Sequence, residues 1–85
     1  MSAVLAAKLL TLLTLAEVWL KMRSDDDLAR AHKDMKDSLH FPPDGVELQI
    51  SRLLNRADIF RQLLDAEEVA RCHADMRALL EGVEA

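Results

Sequence analysis

The sequence predicts an all-α protein, a small bundle of three to four helices around a hydrophobic N-terminal helix. Of the 85 residues, 51% are hydrophobic and alanine and leucine dominate, whereas valine and isoleucine are few and tyrosine is absent, which disfavours a sheet. Only two glycines and two prolines interrupt the chain. A chain of this length forms one domain, covering residues 1–85, and buries a limited share of its surface as a monomer.

The first predicted helix, over residues 2–22, is apolar on nearly every side. Its polar residues recur every three or four positions, at Lys8, Thr11, Thr14, Glu17 and Lys21. A three-residue step falls about 60° short of a full turn, so these positions spiral around the helix and form no stripe facing solvent. Such a helix is buried in its own bundle, against a second copy or in lipid.

Charge placement disfavours the lipid alternative. Lys8 and Glu17 bracket a charge-free run of eight residues, whereas a membrane span needs about 20 apolar residues. No basic segment precedes the apolar run, as a signal peptide would require. A single cysteine, Cys72, excludes an internal disulfide and is typical of a reducing compartment. We therefore expect a cytoplasmic protein without membrane contact.

Two capped helices and a break follow. Ser24 and three aspartates predict the start of a second helix over residues 25–39, with a thin apolar stripe. Two prolines predict a break over residues 40–45. Within it, Phe41 is expected to fold back onto the bundle as a plug; the alternative is an exposed anchor for a partner. Asp44 with Glu47 forms a capping-box pattern for the third helix.

The third helix, over residues 45–64, has a heptad stripe at Val46, Ile50, Leu53, Ala57, Phe60 and Leu64. After it the apolar phase restarts, and Asp65 with Glu68 repeats the capping signature. We therefore predict a tight reversal and a fourth helix over residues 66–81. A single long bent helix is the alternative, because neither glycine nor proline marks the turn.

No residue pattern predicts a catalytic, cofactor or metal site. The three histidines lack the close pairing that zinc sites use, and neighbouring Cys72 and His73 would point about 100° apart on a helix. Cys72 and Met76 share a face, as a soft copper pair would, but heptad positions favour a role in the core. No glycine-rich loop is present to bind phosphate or an oxyanion. We expect no enzyme activity.

One alternative function lies on the outer face of the third helix. Side chains of the types that read base edges in the major groove share this face, at Gln49, Arg52, Asn55 and Arg56. A helix-turn-helix DNA-binding regulator is therefore possible. The long proline-containing break, the acids Glu47 and Asp58 and the net charge of −4 argue against it, so nucleic acid is the weaker hypothesis.

The main prediction is a non-enzymatic protein interaction module. Three neighbouring helices could just enclose the first helix, but two of them must also pack on each other, so we expect part of it to meet another chain, most simply in a homodimer. Such a module suits a small regulator, adaptor, inhibitor or immunity-type factor, of bacterial or phage origin by its size. Trp19 serves either the core or the interface. The predicted interface residues are Leu9, Leu12, Leu13, Trp19 and Phe41.

Overall fold

The computed structural model describes residues 1–84, with the side chains of residues 1–83, and these form four helices. The helices are α1 (Ala3–Lys21), α2 (Asp25–Ser38), α3 (Gly45–Gln62) and α4 (Ala66–Glu84). The prediction of an all-α bundle is confirmed. The alternative of one long bent helix in the C-terminal half is wrong, because α3 and α4 are separate. The bounds lie within three residues of those expected from the sequence.

Each helix contacts two others. α1 packs on α2 and α4, and α3 packs on α4 and α2, so the order around the bundle follows the chain. Within residues 1–84, α1 and α3 are diagonal to each other, as are α2 and α4. The expectation that α1 forms the centre of the bundle is therefore wrong. α1 has two neighbours, and one side of it faces outward.

The α1–α2 and α3–α4 turns have the same backbone geometry. Arg23 follows α1 with a φ of 57°, and Leu64 follows α3 with a φ of 59°. In the first turn the amide of Ser24 donates to the carbonyl of Trp19, and in the second the amide of Asp65 donates to that of Phe60. Both are Schellman motifs with a non-glycine residue in the left-handed region. The turns therefore reverse the chain without glycine, which explains why the sequence shows no glycine signal there.

The predicted helix caps differ in detail from the structure. The Asp65 carboxylate accepts a hydrogen bond from the amide of Glu68, as expected. The Ser24 hydroxyl instead donates to Asp27 and caps no amide. The capping box of α3 does not form, because Glu47 turns to His40 and accepts from both its amide and its ring. Glu47 thereby fastens the end of the break to α3.

Phe41 is 96% exposed at the tip of the segment between α2 and α3. The expectation that it plugs the core is therefore wrong. The alternative from the sequence, an exposed aromatic side chain, describes its position.

The core consists of two apolar clusters with a polar layer between them. The larger cluster contains the fully buried Leu9, Leu13, Met35, Ile50, Leu54, Met76 and Leu80. The smaller cluster, nearer the two Schellman turns, contains Ala16, Leu28, Ala31, Ala57, Val69 and Cys72. Between them lie the fully buried rings of His32 and His73. Burial of two polar rings at this level requires hydrogen-bond partners from neighbouring helices.

The two hairpins, α1–α2 and α3–α4, are internal repeats. His32 and His73 are 41 positions apart, and at the same offset ARAHKDM of α2 (residues 29–35) matches ARCHADM of α4 (residues 70–76). Burial repeats as well, because residues 5–20 and 46–61 have the same pattern of buried and exposed positions except at one site. An approximate two-fold axis along the bundle therefore relates the hairpins. In the following, two residues are called equivalent when they are related by this offset.

Candidate functional site

The outward side of α1 forms an apolar surface, which we call the α1 outer face. It comprises the exposed residues Val4, Ala7, Thr11, Leu15, Val18 and Met22. Val4 is 82% exposed and Met22 65%. The Thr11 hydroxyl donates to the carbonyl of Ala7, so it does not need to donate a hydrogen bond to water. The face therefore extends along the whole helix without a charged residue of its own, although Lys8 and Lys21 flank it.

The predicted interface residues lie elsewhere. Leu9 and Leu13 are completely buried in the chain's own core, so in this fold they do not reach a partner. Leu12 and Trp19 are half-buried and pack against the two core clusters. Of the five, only Phe41 is fully exposed. The exposed side of α1 is thus not the side that the sequence prediction chose, because an all-round apolar helix carries no sign of which side its neighbours cover.

Repeat equivalence shows that the fold does not require this surface to be apolar. On α3 the positions equivalent to Lys8, Thr11, Thr14 and Leu15 carry the predicted base-reading side chains Gln49, Arg52, Asn55 and Arg56. All four of these side chains are exposed, as are their equivalents on α1. Position 15 holds leucine where position 56 holds arginine, and both residues are helical and exposed. The fold therefore does not by itself explain why α1 carries leucine at position 15, whereas Val18 and Met22 have the exposed apolar equivalents Ile59 and Leu63 on α3.

A shallow groove of about 180 Å³ adjoins the α1 outer face on the side of α2. Leu12, Leu15 and Trp19 contribute its apolar floor, together with Ala31. Charged residues of α2 form its rim: Asp27, Arg30 and Asp34. An apolar floor with a polar rim is the composition of a small protein-docking surface.

The polar layer at the centre of the bundle joins α2, α3 and α4. His32 Nδ1 lies 2.8 Å from an oxygen of Asp58, and since a carboxylate accepts, Nδ1 carries the proton. Asp58 also binds Lys36 and Arg61, the latter at 3.3 Å. The second nitrogen of His32, Nε2, faces His73 Nε2 at 2.8 Å. The two rings thus meet across the diagonal of the bundle.

Burial and hydrogen bonding shift the pKa values of this layer in opposite senses. Burial by itself would raise the pKa of Asp58, but hydrogen bonds and charge from His32 and Lys36 outweigh it and hold that pKa far below its ordinary value. Burial lowers the pKa of His73 to about 4, His32 adds to this effect and Glu17 opposes it. At neutral pH the layer therefore contains a carboxylate beside a neutral His73 ring.

The equivalent of Asp58 in the first hairpin is Glu17, and their partners are equivalent as well. Asp58 binds Lys36, and Glu17 binds Arg77 at 2.6 Å, so each ion pair is the other's repeat. However, both carboxylate oxygens of Glu17 accept hydrogen bonds from Arg77, and neither accepts one from His73. His73 Nδ1 is consequently the one buried side-chain nitrogen or oxygen without a partner among the described residues. A groove of about 290 Å³, lined by Glu17, Ala70, His73 and Ala74, lies beside it.

Other reactive groups form no site. Among the described residues, no three His, Cys, Asp or Glu side chains gather in a way that could hold a metal ion. Cys72 is buried in the smaller cluster, and burial raises the pKa of its thiol, which disfavours the reactive thiolate.

The predicted DNA-contacting residues do share one exposed surface of α3. Gln49 and Arg52 border a groove of about 500 Å³ between α3 and α4, whose opposite edge carries Asp75. The acids that weighed against DNA binding are turned away from it. Glu47 binds His40, and Asp58 points into the polar layer.

Comparisons with family models, with curated proteins and with solved structures gave no match. Among the described helices, α1 alone is long and apolar enough to cross a bilayer by length and composition. A core helix or an N-terminal signal sequence passes the same criterion. The site must therefore be interpreted from its own geometry.

Sequence reasoning missed His32, His73 and Asp58 as a connected group. Spacing along the chain did not place them together, because they lie on three helices and meet only through the diagonal packing. The available signal was the internal repeat, since two equivalent histidines in a two-fold bundle face each other at the axis.

Proposed function

We propose that the chain is a non-enzymatic protein interaction module and that the α1 outer face is its docking surface. The observation that carries this proposal is the difference between equivalent helices. α1 exposes Leu15 and Thr11 where α3 exposes Arg56 and Arg52. Burial of these exposed apolar side chains against a partner would contribute about 25 cal/mol per Å² of apolar surface removed from water.

The occupant we propose is a second copy of the chain, with the two α1 helices antiparallel. In that arrangement Val4 meets Met22 of the other copy, and Thr11 meets Leu15. Lys8 flanks this contact on one edge, whereas Glu17 lies on the opposite edge of α1 and is paired with Arg77 of its own chain.

The groove beside α1 enlarges the area available to such a dimer. One helix face of 19 residues is short of the roughly 800 Å² per partner that stable interfaces bury. Trp19 and Leu12, on the floor of the groove, extend the contact toward α2. The charged rim at Arg30 and Asp34 supplies polar contacts around it.

Sedimentation velocity at micromolar concentration tests the proposal. We expect the wild type to sediment as a dimer and Val18→Asp to sediment as a monomer, because Val18 lies on the α1 outer face. The matched control is Ile59→Asp, at the equivalent position of α3, which is also exposed (58%, against 43% for Val18) and should remain dimeric. A wild type that is monomeric at high concentration, or equal effects of both substitutions, would contradict the proposal.

DNA binding through α3 is the second candidate, favoured by the exposure of Gln49, Arg52, Asn55 and Arg56 on one surface. It predicts a salt-sensitive mobility shift with duplex DNA that the double substitution Arg52→Ala with Arg56→Ala abolishes. Absence of any shift by the wild type at low salt would exclude this function.

A further inference from the structure

Each hairpin places a histidine and a methionine one turn apart in the core. His32 precedes Met35 by three residues on α2, and His73 precedes Met76 by three on α4. All four side chains are fully buried or 1% exposed. Residues three apart lie on the same side of a helix, and long side chains in helices point back toward the N-terminus. Both thioethers are therefore directed from their own layer toward the histidine layer.

The two histidines face each other through nitrogens that can serve as metal ligands. Their Nε2 atoms are 2.8 Å apart. The ring centroids are 5.1 Å apart, so the two nitrogens point almost straight at each other, and an ion about 2.0 Å from both requires them to move to roughly 4 Å apart, about 0.6 Å for each ring. Asp58 already holds His32 Nδ1–H at 2.8 Å, which fixes the tautomer with Nε2 free to bind a metal.

His73 Nδ1 has no carboxylate partner like the one that Asp58 provides for His32 Nδ1, and the internal repeat indicates which carboxylate would provide one. In the observed pair, one Nε2 donates to the other, so His73 carries its proton on Nε2 and its Nδ1 is an unpartnered acceptor. With an ion between the rings, that proton moves to Nδ1, which then becomes a donor. Glu17, the equivalent of Asp58, is the carboxylate able to accept from it after releasing one contact to Arg77.

We propose that His32, His73, Met35 and Met76 form a binding site for one copper(I) ion at the two-fold axis of the bundle. Two imidazoles and two thioethers are a neutral, soft ligand set, which selects monovalent copper over harder divalent ions. The ion displaces no proton from the chain, since the His73 proton only changes nitrogen. The carboxylates nearest to its single charge are Asp58 and Glu17, which are already paired with Lys36 and Arg77.

The groove beside His73 provides an entry route. It opens between α1 and α4, where Ala70 and Ala74 leave space. At the equivalent place between α2 and α3, Lys33 stands where α4 has Ala74, and Arg61 stands where α1 has Leu20. The site is thus accessible from one side, the side on which its ligand shell is incomplete.

Anaerobic titration with copper(I), added as its acetonitrile complex against the chelator bicinchoninate, tests this site on the full chain. We expect one equivalent to bind per chain, with nitrogen and sulfur both visible in X-ray absorption. Met35→Leu with Met76→Leu keeps the core volume and should weaken binding at least tenfold and remove the sulfur signal. His73→Gln should weaken it at least a hundredfold.

Cys72→Ala is the control, because a lone thiol binds copper(I) by itself. Binding should survive this substitution unchanged. Loss of binding in Cys72→Ala, failure of the wild type to compete with the chelator, or a preference for zinc(II) with no sulfur ligand would each overturn the proposal. Circular dichroism of every variant separates loss of the site from loss of the fold. The result is independent of the α1 outer face.

Discussion

The two hairpins share a backbone plan and differ in what they present at its surface and at its axis. They have the same turn geometry, nearly the same burial pattern and equivalent ion pairs, Glu17–Arg77 and Asp58–Lys36. Outward, α1 exposes Thr11 and Leu15 where α3 exposes Arg52 and Arg56, whereas Val18 and Met22 of α1 have the exposed apolar equivalents Ile59 and Leu63. At the axis, Asp58 supports its histidine and Glu17 does not. Features that the two hairpins share are those that the fold requires. Features that differ between them point to requirements other than folding.

The largest expected effect tests the shared part. Leu13 and Leu54 are equivalent and completely buried. Replacing either by alanine should lower the free energy of unfolding by about 2–5 kcal/mol, through lost burial and the cavity left behind. Urea unfolding followed by circular dichroism measures both variants. Losses that differ by more than about 2 kcal/mol would show that the two-fold relation does not extend to core energetics.

Acid should destabilise the protein through His73. The pKa of His73 is lowered in the folded state to about 4, so between pH 6.5 and 4 the unfolded chain binds more protons. Stability is then fully present above pH 6.5, falls as the pH is lowered through this window and levels off near pH 4. The total loss should be at most about 3 kcal/mol. In His73→Gln, urea unfolding between pH 6.5 and 4 should lose most of this slope; an unchanged slope would assign the titration to another group.

The two equivalent carboxylates should differ in importance. Asp58 binds His32, Lys36 and Arg61 beside the core, whereas Glu17 binds Arg77 near the surface. Asp58→Asn should destabilise by about 1–3 kcal/mol, because the charged partners lose their counter-charge. Glu17→Gln should cost less than about 1 kcal/mol. Thermal unfolding of the two isosteric variants measures how much each substitution destabilises the protein. Equal destabilisation would show that the two carboxylates are equally important, contrary to this prediction.

The smallest stability effect concerns the turn between α3 and α4. Leu64 is 90% exposed with a φ of 59°, so its side chain makes little contact and its backbone is strained. Leu64→Gly should raise the free energy of unfolding by about 0.5–1 kcal/mol. The same sign is expected for Arg23→Gly in the equivalent turn. A loss of stability in Leu64→Gly would mean that this leucine makes a contact in solution.

The sequence predicted the helices well and the surfaces poorly, for physical reasons. Capping residues and apolar periodicity are local, so Asp65 and the heptad of α3 located their helices. Which side of α1 is covered depends on the bundle order, and a helix with apolar residues all round does not encode it, so Leu9 and Leu13 were assigned to the wrong environment. Phe41 was misplaced because local sequence does not show whether the core has room for it. The histidine layer depends on diagonal packing, which only the repeat could have signalled.

The central claim is that the α1 outer face exists for association. Sedimentation equilibrium of Leu15→Arg tests it most directly, because this substitution gives α1 the residue that α3 already carries at the equivalent position, Arg56. The fold tolerates that residue on α3, so we expect unfolding free energy extrapolated to the monomer to change by less than about 0.5 kcal/mol. The dimer dissociation constant of this variant should be at least tenfold higher than that of the wild type. An unchanged association constant in a folded Leu15→Arg variant would contradict the account.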